Sequence, residues 1–177
     1  MAGRLYPILN RNEVLILSGI AALVLLALLA TVGTPSGGDA GQVFALQLAF
    51  TEGNFQAVLA RWGQAGTAQF LGTLWLDYLF PIAYAVFLSS LAARLAAAGQ
   101  RAPHAPPHLL IALPWGAAAL DYAENTLHLV MLGQGGVSAP SVLAASLAAA
   151  AKWALIAATV LGLARWALVR VLRPRER

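Results

Sequence analysis

The chain has 177 residues, 60% of them hydrophobic and only 10% charged, with a mean hydropathy of +0.73. Soluble domains are nearer about 25% charged, so composition excludes an ordinary soluble protein and points to one integral membrane domain over residues 1–177. The net charge of +4 does not indicate a nucleic-acid partner, because the basic residues Arg4, Arg11, Arg94, Arg101, Arg165, Arg170, Arg173, Arg175 and Arg177 fall where cytoplasmic flanks are expected.

Residues 1–13 are short, polar and basic. Residues 14–32 carry no charge and are long enough to span a bilayer. A signal peptide is the rival reading, but its apolar core is normally shorter and no small-x-small cleavage site follows. The segment is expected to be retained as the first span, with the N-terminus in the cytoplasm.

Residues 33–69 form the longest connection and open on a breaker cluster around Pro35. Residues 42–50 are apolar but too short to cross. Asn54 is a plausible N-cap for a short helix over residues 55–62, stopped by Gly63 in the left-handed helical region. Such a half-apolar, amphipathic piece is expected at the interface or folded over the mouth of the bundle. Arg61 is the strong base on this side, and it either sits among headgroups or caps buried carboxylates.

Residues 70–95 are the second span. Asp77 and Tyr84 share a helix face with Thr73 and Pro81. Pro81 has no amide to offer the carbonyl four residues back, which belongs to Asp77. Broken backbone beside a carboxylate at membrane depth is a recurring way to build a site. The plainer reading is a packing kink with Asp77 held by a neighbour. Residues 96–107 form a cytoplasmic loop in which His104 and His108 are four apart, yet the intervening prolines make them loop residues rather than a metal pair.

Residues 108–132 are the third span, kinked early by Pro114. Asp121, Glu124, Asn125 and His128 fall at i, i+3, i+4 and i+7, within about 100° of one face. Residues 133–140 make a tight uncharged turn. Residues 141–166 are the fourth span, with Ala144, Ala145, Ala148 and Ala149 allowing close helix approach and Lys152 in mid-run beside Trp153. The expected fold is all-α: an antiparallel bundle of four transmembrane helices, with a short amphipathic segment between the first and second and both termini cytoplasmic.

At about 1.5 Å per helical residue, Asp77 lies about 12 Å below Gln69 and Lys152 about 16 Å below Ser141. By the same rise His128, Glu124 and Asp121 lie about 8, 13 and 18 Å below Gly133. Three helices therefore bring ionisable groups to one slab. Unpaired, four central charges would cost on the order of 10 kcal/mol, so they must face inward. Lys152 neutralises one carboxylate, and Asp77, Asp121 and Glu124 leave an excess of two negative charges. Protons, His128, Arg61 or a bound cation must cover it. The segments Gly72-x-x-x-Leu76-Asp77-Tyr78 and Gly116-x-x-x-Leu120-Asp121-Tyr122 also repeat at identical spacing, although four identities are within the reach of chance.

The motifs Asp77-Tyr78-Leu79-Phe80-Pro81-x-x-Tyr84 and Asp121-x-x-Glu124-Asn125 resemble a group of small prokaryotic four-helix membrane proteins. The resemblance runs from the outer segment to Lys152-Trp153. It implies the fold and a location in the bacterial cytoplasmic (inner) membrane, and supplies no activity.

Three functions fit. The first is a site that binds or acts on a lipid or other small amphiphile, with Asp77 and Glu124 as acid–base candidates and His128 and Lys152 polarising the ligand. Tyr78, Tyr84, Asp121, Asn125 and Arg61 join these as candidate ligand contacts. The second is a proton- or cation-coupled transporter, for which four helices are few unless the chain forms a homo-oligomer. The third is a non-catalytic subunit whose polar cluster is a structural staple. One buried histidine and no cysteine make zinc a poor fit, so no metal site is expected. No hydrolase motif is present, and no cofactor is assigned.

Overall fold

The computed structural model describes residues 2–33, 35, 40–98 and 109–172. The loop with Arg101, His104 and His108, most of the breaker cluster, and the tail with Arg173, Arg175 and Arg177 lie outside the described residues. Seven helices are present and no strands among the described residues: α1 (Ala2–Leu9), α2 (Asn12–Val32), α3 (Ala40–Gln47), α4 (Glu52–Asp77), α5 (Phe80–Ala98), α6 (Leu109–Gly133) and α7 (Ala139–Leu172).

Three of them, α2, residues 80–97 of α5, and α7, are long and apolar enough to cross a membrane. Helix α6 has the length, with 25 residues. Its apolarity is reduced by the polar face that carries Asp121, Glu124, Asn125 and His128. That face is turned wholly inward, each of these residues being at most 3% exposed.

The long helices run antiparallel to their neighbours. Helix α2 packs mainly on α5, with Gly19 closely set against the Phe87 ring. Helix α5 meets α6 through Tyr84–Asp121 and Ser89–Ile111, and α6 meets α7 most extensively of all. At the far end of that contact Gly162 leaves room for Leu110. On α7 the packed face holds Val142, Ala145, Ser146, Ala149 and Lys152, so of the expected alanine face Ala144 is exposed. Pro114 is fully buried within α6, and Ser89 Oγ donates to the Ile111 carbonyl (2.8 Å) in the turn that the proline loosens.

The expected second span is not one kinked helix. The chain breaks at Tyr78–Leu79 between α4 and α5. Pro81 then lies in the first turn of α5, where a missing amide costs little. The Tyr122 hydroxyl donates to the Tyr78 carbonyl (2.8 Å), so α6 satisfies backbone released by the break.

The outer segment also differs from expectation. Thr51, not Asn54, is the N-cap, and its hydroxyl accepts from Asn54 N at 3.3 Å. The Asn54 amide instead donates to the Ala49 carbonyl (3.0 Å). Gly63 does adopt positive φ, but with φ 63° and ψ −173° it is extended rather than left-handed helical, and the helix resumes beyond it. That region of backbone space is essentially open to glycine alone. The bend folds residues 52–62 over the bundle, where Phe55, Val58 and Trp62 enter a core with Leu46, Phe70, Leu74, Met131 and Val142. Two further apolar layers lie along the bundle, one around Tyr84, Ala85, Ala117 and Ala118, the other around Ala92, Leu110 and Leu163.

Gly63→Ala is expected to cost about 1–3 kcal/mol of stability through backbone strain. Gly53→Ala, in the first turn of the same helix with open space around it, is expected to be neutral or slightly stabilising. Unfolding of both variants in detergent micelles measures the contrast.

Candidate functional site

The polar groups of α6 meet Lys152 between the outer and middle apolar layers. Lys152 Nζ lies 3.0 Å from Asp121 Oδ1 and 2.6 Å from Glu124 Oε2. The Tyr84 hydroxyl donates to the other oxygen, Asp121 Oδ2, at 3.2 Å. Asp121 is thus held on both oxygens, by α5 and by α7. His128 Nδ1 is 4.0 Å from Glu124 Oε1, and neither of its ring nitrogens has a hydrogen-bond partner among the described residues. Its ring lies between Phe55 and Phe70, with centroids 5.9 and 6.0 Å away. The outer apolar layer therefore closes the cluster off from above.

Asp77 reaches the same region from the end of α4. The Gln69 side chain donates to the Val32 carbonyl (2.8 Å), which sets α4 level with the end of α2. Eight residues further, about 12 Å at 1.5 Å per residue, the helix stops at Asp77. The Asn125 amide lies close to the Asp77 carboxylate, but Asn125 Nδ2 closes no hydrogen bond of good geometry. No lysine, arginine or histidine pairs with Asp77 among the described residues.

A cavity of about 340 Å³ opens beside these groups. Asp77, Asp121, Asn125, Lys152, Thr73 and Tyr84 lie on its wall. The remaining lining is largely apolar and comes from α2 (Leu26, Leu29, Ala30), α3 (Val43, Phe44), α4 (Phe70, Leu74), α5 (Phe80, Leu88) and α7 (Trp153, Ile156). Since α2 packs on α5 and α7 packs on α6, the cavity lies in the gap between α2 and α7. Helix α3 spans its outer end. There Phe44 packs on Trp153 with centroids 5.0 Å apart, and Trp153 Nε1 donates to Gln47 Oε1 (3.2 Å).

This geometry redistributes the candidate residues. Asp77, Tyr84, Asp121, Asn125 and Lys152 come together on one wall. Glu124 and His128, expected to face a ligand, are sealed behind it at 0% and 1% side-chain exposure and do not line the cavity. Asp121, the deepest of the α6 set and a candidate ligand contact, does line it. Tyr78 points to another face, where its hydroxyl bonds Thr126 Oγ1 (2.7 Å) and its ring packs on Tyr122 at 5.5 Å. Arg61 is exposed and does not cap the carboxylates. The two Leu-Asp-Tyr units do face each other, through both aspartates at the cavity and both tyrosines beside it. The walls supplied by α2 and α3 had no sequence signal, since an unbroken apolar run reads the same whether it faces lipid or a cavity.

Lys152→Met leaves two buried carboxylates without their cation and is expected to cost about 3–5 kcal/mol. Adding Glu124→Gln is expected to recover part of that loss, with a coupling energy of about 0.5–3 kcal/mol. Unfolding of the two single variants and the double variant in micelles closes the cycle, and additivity within about 0.5 kcal/mol would sink the direct pairing.

No protein-family model, no curated protein and no solved structure matches the chain, so the reading of the site rests on its own geometry.

Proposed function

We propose that this chain is a four-span bundle of the bacterial cytoplasmic membrane, akin to the small four-helix membrane proteins that its motifs resemble. We further propose that it binds a small amphiphile in a lateral intramembrane cavity. The observation that carries the reading is one cavity of about 340 Å³ that joins apolar walls to Asp77, Asp121, Asn125 and Lys152. Small-molecule sites have this make-up, with apolar surroundings and a few convergent polar groups.

The fourth span is α6. It runs antiparallel between two helices apolar enough to cross, and outside its polar face it exposes Leu109, Trp115 and Val130. At 25 residues it is about 37 Å long, sufficient for a hydrocarbon core of about 30 Å. The Tyr6 hydroxyl bonds the Ala93 carbonyl (3.1 Å), which brings α1 beside Arg94 at the end of α5. That end and the arginines of late α7 form the basic side, which the positive-inside rule assigns to the cytoplasm.

The ligand's apolar part lies along Leu26, Leu29, Phe44 and Ile156, and its head meets Asp77 and Asn125. Entry between α2 and α7 spares the ligand a passage through water. Thr73, a hydroxyl on the wall, donates to the Phe70 carbonyl (2.7 Å) and not to a base, so the reading stops at binding and names no reaction. The double grip of Asp121 and Glu124 on Lys152 favours a stabilising part for these three groups within the same site.

Native mass spectrometry of protein extracted with its lipids tests the reading. Wild-type protein is expected to retain a bound amphiphile, and Ala30→Phe, which sets a ring into the cavity from the exposed side of α2, is expected to lose it. Identical retention by both proteins would remove the cavity as the site.

A further inference from the structure

The charges on the wall select among amphiphiles, an inference that rests on the amphiphile reading above. Three carboxylates, Asp77, Asp121 and Glu124, share one cation. Lys152 is engaged by Asp121 and Glu124, and Asp121 has its second oxygen filled by Tyr84. His128 stands beside Glu124 and behind the wall. Arg61 is exposed and elsewhere. Asp77 is therefore the carboxylate that faces the cavity without a cationic partner among the described residues.

Two further observations point to what it meets. Phe44, Phe80, Tyr84 and Trp153 line the same cavity, and aromatic faces attract ammonium groups, most strongly where water is excluded. Asn125, only 1% exposed and on the wall, sets its amide close to the Asp77 carboxylate but closes no hydrogen bond of good geometry with it, so Nδ2 is poorly satisfied. A buried donor of this kind is costly unless an acceptor arrives. An anionic head would meet Asp77 and Asp121, while Lys152 is already paired with two carboxylates, Asp121 and Glu124, so like charges would oppose it. The volume, near the low end of the roughly 300–1,000 Å³ typical of ligand sites, suits one alkyl chain better than two.

We infer that the cavity takes a single-chain amphiphile with an ammonium head, the ammonium set against Asp77 and an adjacent oxygen within reach of Asn125.

The test uses full-length protein in phosphatidylcholine nanodiscs, with apparent dissociation constants from native mass spectrometry. The probes are dodecylamine, dodecanol and dodecanoate, which share a chain and differ in head charge, together with phosphatidylethanolamine, which carries an ammonium on two chains. Dodecylamine is expected to bind at least about tenfold tighter than the other two single-chain probes, as one charge-assisted hydrogen bond would provide. Asp77→Asn is expected to abolish that preference while dodecanol binding persists, and Asp77→Glu to retain it. Should Asp77→Asn fail to fold, the order of affinities in wild-type protein and in Asp77→Glu decides. Equal binding of all three probes, lost together in Ala30→Phe, would overturn the ammonium inference and leave the amphiphile cavity standing. Displacement of dodecylamine by phosphatidylethanolamine would overturn the single-chain part. Probe binding that Ala30→Phe leaves untouched would overturn the amphiphile reading itself.

Discussion

The structure depends on one buried cation. Lys152, 3% exposed, bridges Asp121 and Glu124 on the neighbouring helix, and Tyr84 on a third helix completes Asp121. Each of these groups alone would be expelled from an apolar interior, since the desolvation of an ion amounts to several kcal/mol. Together they are tolerated at one relative placement of α5, α6 and α7. A one-residue slip of α7 would swing Lys152 by about 100° away from both carboxylates. The apolar layers on either side are rich in alanine and leucine, and many alignments would serve them nearly as well. The ionic contact therefore sets register, and the apolar layers supply the burial around it.

Two backbone irregularities deliver the remaining carboxylate. Gly63 turns α4 so that its first half lies over the bundle and its second half descends into it. The break at Tyr78–Leu79 then ends the helix at Asp77. Backbone groups exposed by such a break are costly in a membrane. The Tyr122 hydroxyl, directed to the Tyr78 carbonyl, meets part of that need from the adjacent helix. The paired Leu-Asp-Tyr segments thus divide the work: their aspartates face the cavity, and their tyrosines hold the break together.

The outer end is held by a different kind of constraint. Between α3 and α4 the chain makes a tight turn at Phe50, which has φ 54° and is spanned by a 2.6 Å bond from Thr51 N to the Ala49 carbonyl. A non-glycine residue in such a turn is strained. It is stabilised from outside, because Phe50 N donates to Ser146 Oγ on α7 (2.9 Å) and Trp62 Nε1 donates to Gln42 Oε1 (2.7 Å). These bonds keep Phe44 and Gln47 against Trp153, where α3 forms the outer wall of the cavity.

Much of this was legible in the chain alone. The all-helical class follows from long apolar runs, and the inward face of α6 follows from four polar residues at helical spacing, for which an apolar surround leaves no other direction. The shared depth of Asp77, Asp121, Glu124 and Lys152 follows from the constant rise of a helix. Periodicity did not distinguish a bend from a break at Pro81, because the proline removes the same hydrogen bond in both cases and neighbouring helices decide between them. Nor did it tell Asp121 from Glu124, one turn apart on the same face. Which of them lines the cavity depends on the rotation of α6 against α4 and α7, and that is a property of three packed surfaces. By itself the sequence determined that these polar groups must be buried together, because each is too costly to expose to hydrocarbon. Tertiary structure alone decided that Lys152 is spent on Asp121 and Glu124 and that Asp77 faces the cavity, because pairing depends on distances between helices that no single helix encodes.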